Sequence, residues 1–423
     1  MRTSTKPTPP RTAVRRIAAG RLISITGGAA AYTALGFTVW DQTHSPWMQA
    51  LSLLLTFGVA GILGPFAGAL GDRFDRRRVM IVSELVSAGF FAAMAIVDDA
   101  GLLIALAFGS ALAELPFFSA SRAAIPSLIR DDEHLSWANS LVTVGVNAGI
   151  AVGPVIGGVL LAAFGDASWV FGINAVSFVL SVLITLSVHA RFQDDREPAE
   201  HGEHDGFAAG LTFLWRDAVL RRLAAAWLVF VIGMGMSMVA DAPLAEHFDA
   251  GEVGFGFLIA CWGLGSVLGS AAGRWMNRRS EPKWLVAAAF GIAISAFGVG
   301  LAPAFALVLV ALLVMGTSDG LTIVAENGIM QRRTPDAIRS RTMGAFEAVI
   351  SLGLAISYIV AGPVLDAVTP QGVYLIGGAT ALAAAVLLVP LRNLRPVAED
   401  ESIPPPAAPG ATVLGEPVAL APE

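Results

Sequence analysis

The chain of 423 residues is 55% hydrophobic and 14% charged, with a mean hydropathy of +0.68 and a formal net charge of −6. So few charges cannot cover a water-exposed surface of this size, which excludes a soluble globular protein. A single cysteine, Cys261, excludes an intramolecular disulfide and reads as a small packing residue.

Residues 1–21 form a basic arm rich in Pro and Thr. Six apolar runs follow: Leu22–Trp40, Pro46–Leu70, Val79–Val97, Gly101–Ser121, Trp137–Phe164 and Trp169–Val188. Each suffices for the roughly 20 helical residues that cross about 30 Å of hydrocarbon. The first run exceeds a signal-peptide core and has no convincing cleavage site, so it is read as retained. Residues 191–222 are a linker, charged from Gln193 to Asp205. Phe207, Leu211, Leu214, Trp215 and Leu220 then recur at near-helical spacing beside Arg216, Arg221 and Arg222, which predicts an amphipathic helix on the membrane surface. Six more runs follow: Leu223–Leu244, Gly254–Met276, Trp284–Leu301, Phe305–Met330, Thr342–Leu365 and Val373–Leu391. The expected domains are therefore a six-helix bundle over 22–190, the linker, a second bundle over 223–395, and a Pro- and acid-rich tail over 396–423 that buries too little to order itself.

The 27 Lys and Arg fall in the two terminal arms and at every second gap between the runs, with Arg274 just inside the end of the eighth run. The intervening gaps hold acids instead, among them Asp41, Asp98, Asp99, Asp166, Glu246, Asp249 and Glu252. Basic loops stay in the cytoplasm, so this alternation predicts an orientation, and an even number of spans puts both termini on the cytoplasmic side. Continuous apolar runs, rather than alternating ones, exclude a membrane barrel. The prediction is an all-α integral membrane protein with twelve helices in two six-helix pseudo-repeats. Arg and Ala usage with two lysines suggests a GC-rich bacterium, so the expected location is a bacterial cytoplasmic membrane, and a monomer is expected.

The halves echo each other. Pro126 and Pro335 lie 209 residues apart, as do Gly153-Pro154 and Gly362-Pro363. A second echo has an offset of 205, from the segment Gly68 to Arg73 to the segment Gly273 to Arg278. Repeated six-span halves are how secondary carriers build a site at the midplane.

Two motifs carry a resemblance. The loop after the second run reads Gly68-Ala-Leu70-Gly-Asp72-Arg73-Phe-Asp75-Arg76-Arg77-Arg78. It resembles the signature loop of the major facilitator superfamily, with Asp75 where that loop has glycine, a variant of the drug, macrolide and siderophore exporter branch (enterobactin-exporter-like). Asp72 can accept hydrogen bonds from a helix N-terminus, and Arg73, Arg76 and Arg77 serve either as a gate that pairs with acids across the seam between halves or as topology anchors. The fifth run carries Gly145, Gly149, Gly153, Pro154, Gly157 and Gly158, which is similar to the family's antiporter motif. Glycines four apart allow close helix packing whatever the function, and within the family the embedded proline implies proton-driven export. The loops around Arg122 to Pro126 and Gln331 to Pro335, with Trp137, Asn139, Arg339 and Arg341, also look like that branch. The resemblance covers residues 17 to 395 or so and implies twelve helices and alternating access.

An acid within a spanning helix costs roughly 2.5–3.5 kcal/mol on insertion scales, so each is a candidate for proton or substrate coupling. Asp319 in the tenth run and Glu114 in the fourth are expected near the midplane. Glu326 lies two turns after Asp319, about 10 Å along the same face. Glu326, Glu347 and Glu84 lie nearer the cytoplasmic ends, where pairing with Arg73, Arg76 or Arg341 competes with proton transfer. Asp41 and Asp241 are placed at outer span ends, as solvated acids or an outer gate. Met234, Met236 and Met238 alternate, so one helix face cannot hold all three.

No Gly-Lys-Ser/Thr phosphate loop and no nucleophile paired with a base occur, which argues against nucleotide hydrolysis or other enzymatic chemistry. The cluster His201-Gly-Glu203-His204-Asp205 is read as linker rather than metal site, and neither cofactor nor nucleic acid is expected. The expected function is proton-coupled export of amphipathic, cationic or zwitterionic small molecules such as drugs, macrolides or siderophores. An uptake symporter of the same fold and a non-transporting membrane receptor are the rivals, and the expected partners are bilayer, substrate and protons.

Overall fold

The computed structural model describes residues 9–59, 63, 74–128, 132–190, 192, 206–335 and 338–394. These contain thirteen α-helices and no strand. They are α1 (Pro10–Thr43), α2 (Pro46–Leu53), α3 (Arg76–Met94), α4 (Ala100–Leu128), α5 (Asp132–Phe164), α6 (Ala167–Ser187), α7 (Gly206–Arg216), α8 (Ala218–His247), α9 (Gly251–Ala272), α10 (Glu281–Gly300), α11 (Phe305–Arg333), α12 (Arg339–Ala367) and α13 (Pro370–Leu388). Nine of the described helices are long and apolar enough to cross a membrane. Of the other spans expected, α2 leads into residues not described, α3 opens on three arginines, and the apolar described part of α5 is Ala148–Phe164.

Helix ends follow local chemistry. Ser45, Asp75, Asp166, Asp217 and Thr369 each accept a backbone N–H from the first turn of the helix they precede. Pro46 and Pro370 stand where a missing N–H costs nothing. α2 loosens at once into a π-helical stretch, Leu54–Val59, of the kind that often marks functional sites.

The structure corrects two boundaries. The basic arm is not separate from the first span: α1 begins at Pro10 and buries Ala13, Val14, Ile17 and Ala18 against the ends of α4 and α5, because these small and branched residues recur at helical spacing. The amphipathic segment does not continue through Leu220. Asp217 ends it and caps α8, accepting from the amides of Val219 and Leu220 at 2.8 and 2.9 Å. Rather than lying free on the surface, α7 buries Phe213 and Leu214 and seats Gly210 against the backbone of Arg341, where a Cβ would come within 2.3 Å of the carbonyl oxygen. Arg333 of α11 reaches Asp217 at 2.8 Å. Burial alone would raise the Asp217 carboxyl, but the hydrogen bonds and charge of Arg333, with the two amides, hold it below the usual carboxylate value.

One group of helices packs α1 on α5 and α6, and α3 on α4 and α6; the other packs α8 on α12 and α13, α9 on α11, and α10 on α11 and α13. Two seams join the groups, α5 against α9 and α2 against α12. In a membrane, where lipid is as apolar as the side chains, close packing of small residues must hold helices together, and both seams use glycine. Cβ atoms added at Gly149, Gly153 and Gly157 would approach α1, within 2.4 Å of the Ala30 oxygen at Gly157, whereas one at Gly158 would lie 2.6 Å from the Glu252 oxygen of α9. Gly256 of α9 returns the contact, 2.6 Å from the Pro154 oxygen. In the other seam Gly362 faces the Trp47 ring at 3.0 Å. The repeated Gly-Pro pairs therefore mark the two helices, α5 and α12, that reach into the opposite group.

Candidate functional site

Between the two groups lies a cavity of about 570 Å³. Its walls come from α1 to α6 on one side and from α8, α9, α11 and α13 on the other. Most of the lining is apolar and aromatic, with Tyr32, Phe57, Phe117 and Phe118 facing Phe255, Trp262 and Tyr374. Three carboxylates enter it, Glu84 and Glu114 from the first group and Asp241 from the second.

Each acid has its own setting. Glu114, midway along α4, accepts from the Ser110 hydroxyl one turn earlier at 3.2 Å and from Tyr32 of α1. Glu84 is almost fully buried; it accepts from Ser181 of α6 at 2.5 Å and lies within the field of Arg21. Arg21 is buried too, its guanidinium 5.8 Å from the ring centres of both Phe117 and Phe118. Asp241 accepts from the Tyr374 hydroxyl of α13. It was expected at a helix end, but α8 runs six residues further to His247, and this extra length places Asp241 inside the cavity.

Two other acids lie behind the cavity wall. Asp319 is buried between α11 and α9, where Ser266 donates to it, and Glu326 is buried beside Trp227, with the charges of Glu347 and Asp319 close by. The α9 to α11 contact that encloses Asp319 is tight: Cβ atoms at Gly316 and Gly320 would come within 1.9 and 2.1 Å of the Trp262 and Ser266 oxygens. Glu347 itself is exposed on α12. Asp41 lines a separate recess of about 160 Å³ at the acidic end, with Asp98, Asp166 and Glu252.

Of the expected gating residues, Gly68, Asp72 and Arg73 lie outside the described residues. Arg76 is buried and donates to Ser127 at 3.2 Å, while Arg77 donates to the Leu186 oxygen at 2.7 Å and stacks on Phe192. Both of these contacts stay within the first group. The linker cluster from His201 to Asp205 also lies outside the described residues, and among the described ones no set of His, Cys, Asp and Glu could hold a metal ion.

At the acidic end the two groups touch directly. Trp40 of α1 donates to Glu246 of α8 at 2.5 Å, His44 approaches the same carboxylate at 3.4 Å, and Phe37 packs on Phe255. The core beneath shares residues of both groups, whereas at the basic end each group has a core of its own. The chain is thus two helix bundles closed against each other at one end, with an acid-lined cavity between them. The model of the Major Facilitator Superfamily matches residues 17–337 and 232–420.

The chain belongs to that superfamily. The enterobactin exporter EntS of Escherichia coli K12 and that of Shigella boydii serotype 18 are each 27% identical to it over 394 residues, 90% of this chain and 93% of theirs. Among solved structures it is similar to the nucleoside transporter NupG, with a TM-score of 0.72 at 14% identity over 90% of this chain and 100% of that one. A bacterial homologue of the lysosomal transporter Spinster, inward-facing and unoccupied, matches with a TM-score of 0.65 at 14% identity, covering 92% and 96% of the two chains. The superfamily is one of transporters rather than enzymes, so this is a multi-pass membrane transporter acting on small molecules.

The sequence did not single out Tyr32, Gln49, Trp262 and Tyr374, which line the cavity, or Ser110, which donates to Glu114 from behind it. Their signal is weak, since isolated polar residues in apolar runs are common. Arg21 had a clearer one: an arginine followed at once by nineteen residues without charge. Met234 and Met238 line the cavity one turn apart, while Met236 packs into the core, as their alternation requires.

Proposed function

We propose that this transporter is a proton-coupled exporter of amphipathic small molecules, a drug, macrolide or siderophore, working by alternating access as a twelve-span monomer with its basic loops and both termini in the cytoplasm. The observation that carries this reading is the cavity between the bundles, with carboxylates from both, closed at the acidic end by Trp40, His44 and Glu246. With that end shut, the cavity is loaded from the basic side. The likeness to exporters named for enterobactin supports siderophores within the substrate range and supports outward transport.

Substrate entering from the cytoplasm meets Glu114 and Asp241 ionised. Parting of the α5–α9 and α2–α12 seams opens the cavity outward, where protons neutralise the acids and substrate leaves. Return inward releases the protons. Asp319 lies behind the wall but bonds α11 to α9, the helix that carries one seam, so its protonation acts on the position of α9. Asp72, Arg73, Arg76 and Arg77 gate the cytoplasmic end in this scheme.

Reconstituted protein in liposomes with a trapped pH dye tests the exchange. Addition of a transported dye, macrolide or siderophore should move protons opposite to substrate; co-directional movement would favour an uptake symporter, and binding without movement a receptor.

A further inference from the structure

Resting on the transport reading above, we propose that within its substrate range the preferred ligand is an aromatic amphiphile with two protonated nitrogens bearing N–H bonds, one held by Glu114 and the other by Asp241, so that it bridges the two bundles.

Charge comes first. Among the described residues that line the cavity there is no Lys, Arg or His, yet three carboxylates face it. A carboxylate in apolar surroundings is stabilised by a paired cation with hydrogen bonds, and an anionic ligand would add like charge. Glu84 already has Arg21 close by. Among the described residues Glu114 and Asp241 have only hydroxyls as hydrogen-bond partners, those of Ser110 and Tyr32 and that of Tyr374, and Glu114 also feels the like charge of Glu84. These two acids are therefore the ones left for a ligand's cations, and they stand on α4 and α8, in opposite bundles.

Hydrogen-bond chemistry narrows the cation. Gln49 Oε1 and Glu84 Oε2 are buried acceptors without a hydrogen-bond partner among the described residues, and both residues line the cavity. Buried acceptors without partners are costly, and a ligand that brings N–H donors satisfies them. A quaternary ammonium or phosphonium carries the charge without the donors. The aromatic walls on both sides give a flat ring system its stacking surface, and the volume of about 570 Å³ suits a drug-sized molecule. Bridging also ties recognition to turnover, because a ligand held by both bundles is divided between them when they rock apart.

The test is equilibrium binding to the full chain in lipid nanodiscs. The probes are the diamidine 4′,6-diamidino-2-phenylindole, the monoamidine 4-phenylbenzamidine, the anion 4-phenylbenzoate and the donor-free cation tetraphenylphosphonium. The diamidine should bind at least tenfold tighter than the monoamidine and than tetraphenylphosphonium, with 4-phenylbenzoate weakest. Glu114→Gln and Asp241→Asn should each bring the diamidine within threefold of the monoamidine, and Glu114→Asp should recover most of the difference. A diamidine no tighter than the monoamidine, a benzoate that competes as well as the benzamidine, or substitutions without effect would overturn the assignment. If a variant is not monodisperse, the wild-type ranking of the four probes decides alone. Proton-driven movement is scored separately. The expected ranking without movement would fail the export reading and leave this site, whereas export of other amphiphiles with no preference for the diamidine would do the reverse.

Discussion

The two bundles bury their acids differently. The first turns Glu84 and Glu114 into the cavity, within a set of hydroxyls and one arginine; the second offers Asp241 to the cavity and keeps Asp319 and Glu326 behind its wall. Related halves thus place their acids differently: those of the first line the cavity, while two of the second are packed between helices behind it. The seams differ in the same way. α5 meets α9 backbone to backbone through Gly158 and Gly256, while α12 meets α2 through Gly362 against the movable Trp47 ring.

Substitutions that exchange these characters test the difference. Glu114→Gln is expected to have the largest effect, lowering proton-driven transport by about two orders of magnitude, the usual scale for losing a positioned proton-transfer group. Asp319→Asn keeps the hydrogen bond from Ser266 but not the charge, so transport should fall roughly tenfold, for ~1.4 kcal/mol of lost coupling, with binding affinity unchanged. Radiotracer flux and equilibrium binding on the same preparations separate the two. Gly158→Leu should part α5 from α9 and abolish labelling protection of this closed end, whereas Gly362→Ala should be tolerated because the Trp47 ring can shift; cysteine accessibility at the acidic end reads both.

The smallest effect is expected away from the cavity. Asp217→Ala removes a helix cap and the Arg333 partner and should lower stability by about 2 kcal/mol, read as a loss in thermal midpoint. The native Asp217 carboxyl sits below its unfolded value, so this stabilisation is complete above the unfolded carboxylate pKa and fades as pH falls through the lowered native one.

Much of the fold was legible because membrane physics writes it plainly. Long apolar runs and the placement of Lys and Arg foretold the helices, and the Gly-Pro echo at 209 residues foretold the equivalent helices α5 and α12. Glu114 was legible as a costly intramembrane acid. Asp241 was misplaced because the charged segment from Glu246 onward looked like a loop, although α8 continues through it. Tyr32, Tyr374 and Arg21 could not be assigned roles from spacing alone, since their partners lie 82, 133 and 63 residues away and are brought together only by packing.

The most direct measurement is accumulation of a dye, a macrolide and a siderophore in everted membrane vesicles energised by a proton gradient, with wild type beside Glu114→Gln and Asp319→Asn. Gradient-dependent accumulation by wild type, nearly abolished by Glu114→Gln and reduced by Asp319→Asn, is the expected result. Accumulation that survives Glu114→Gln unchanged would contradict proton coupling through the cavity carboxylates.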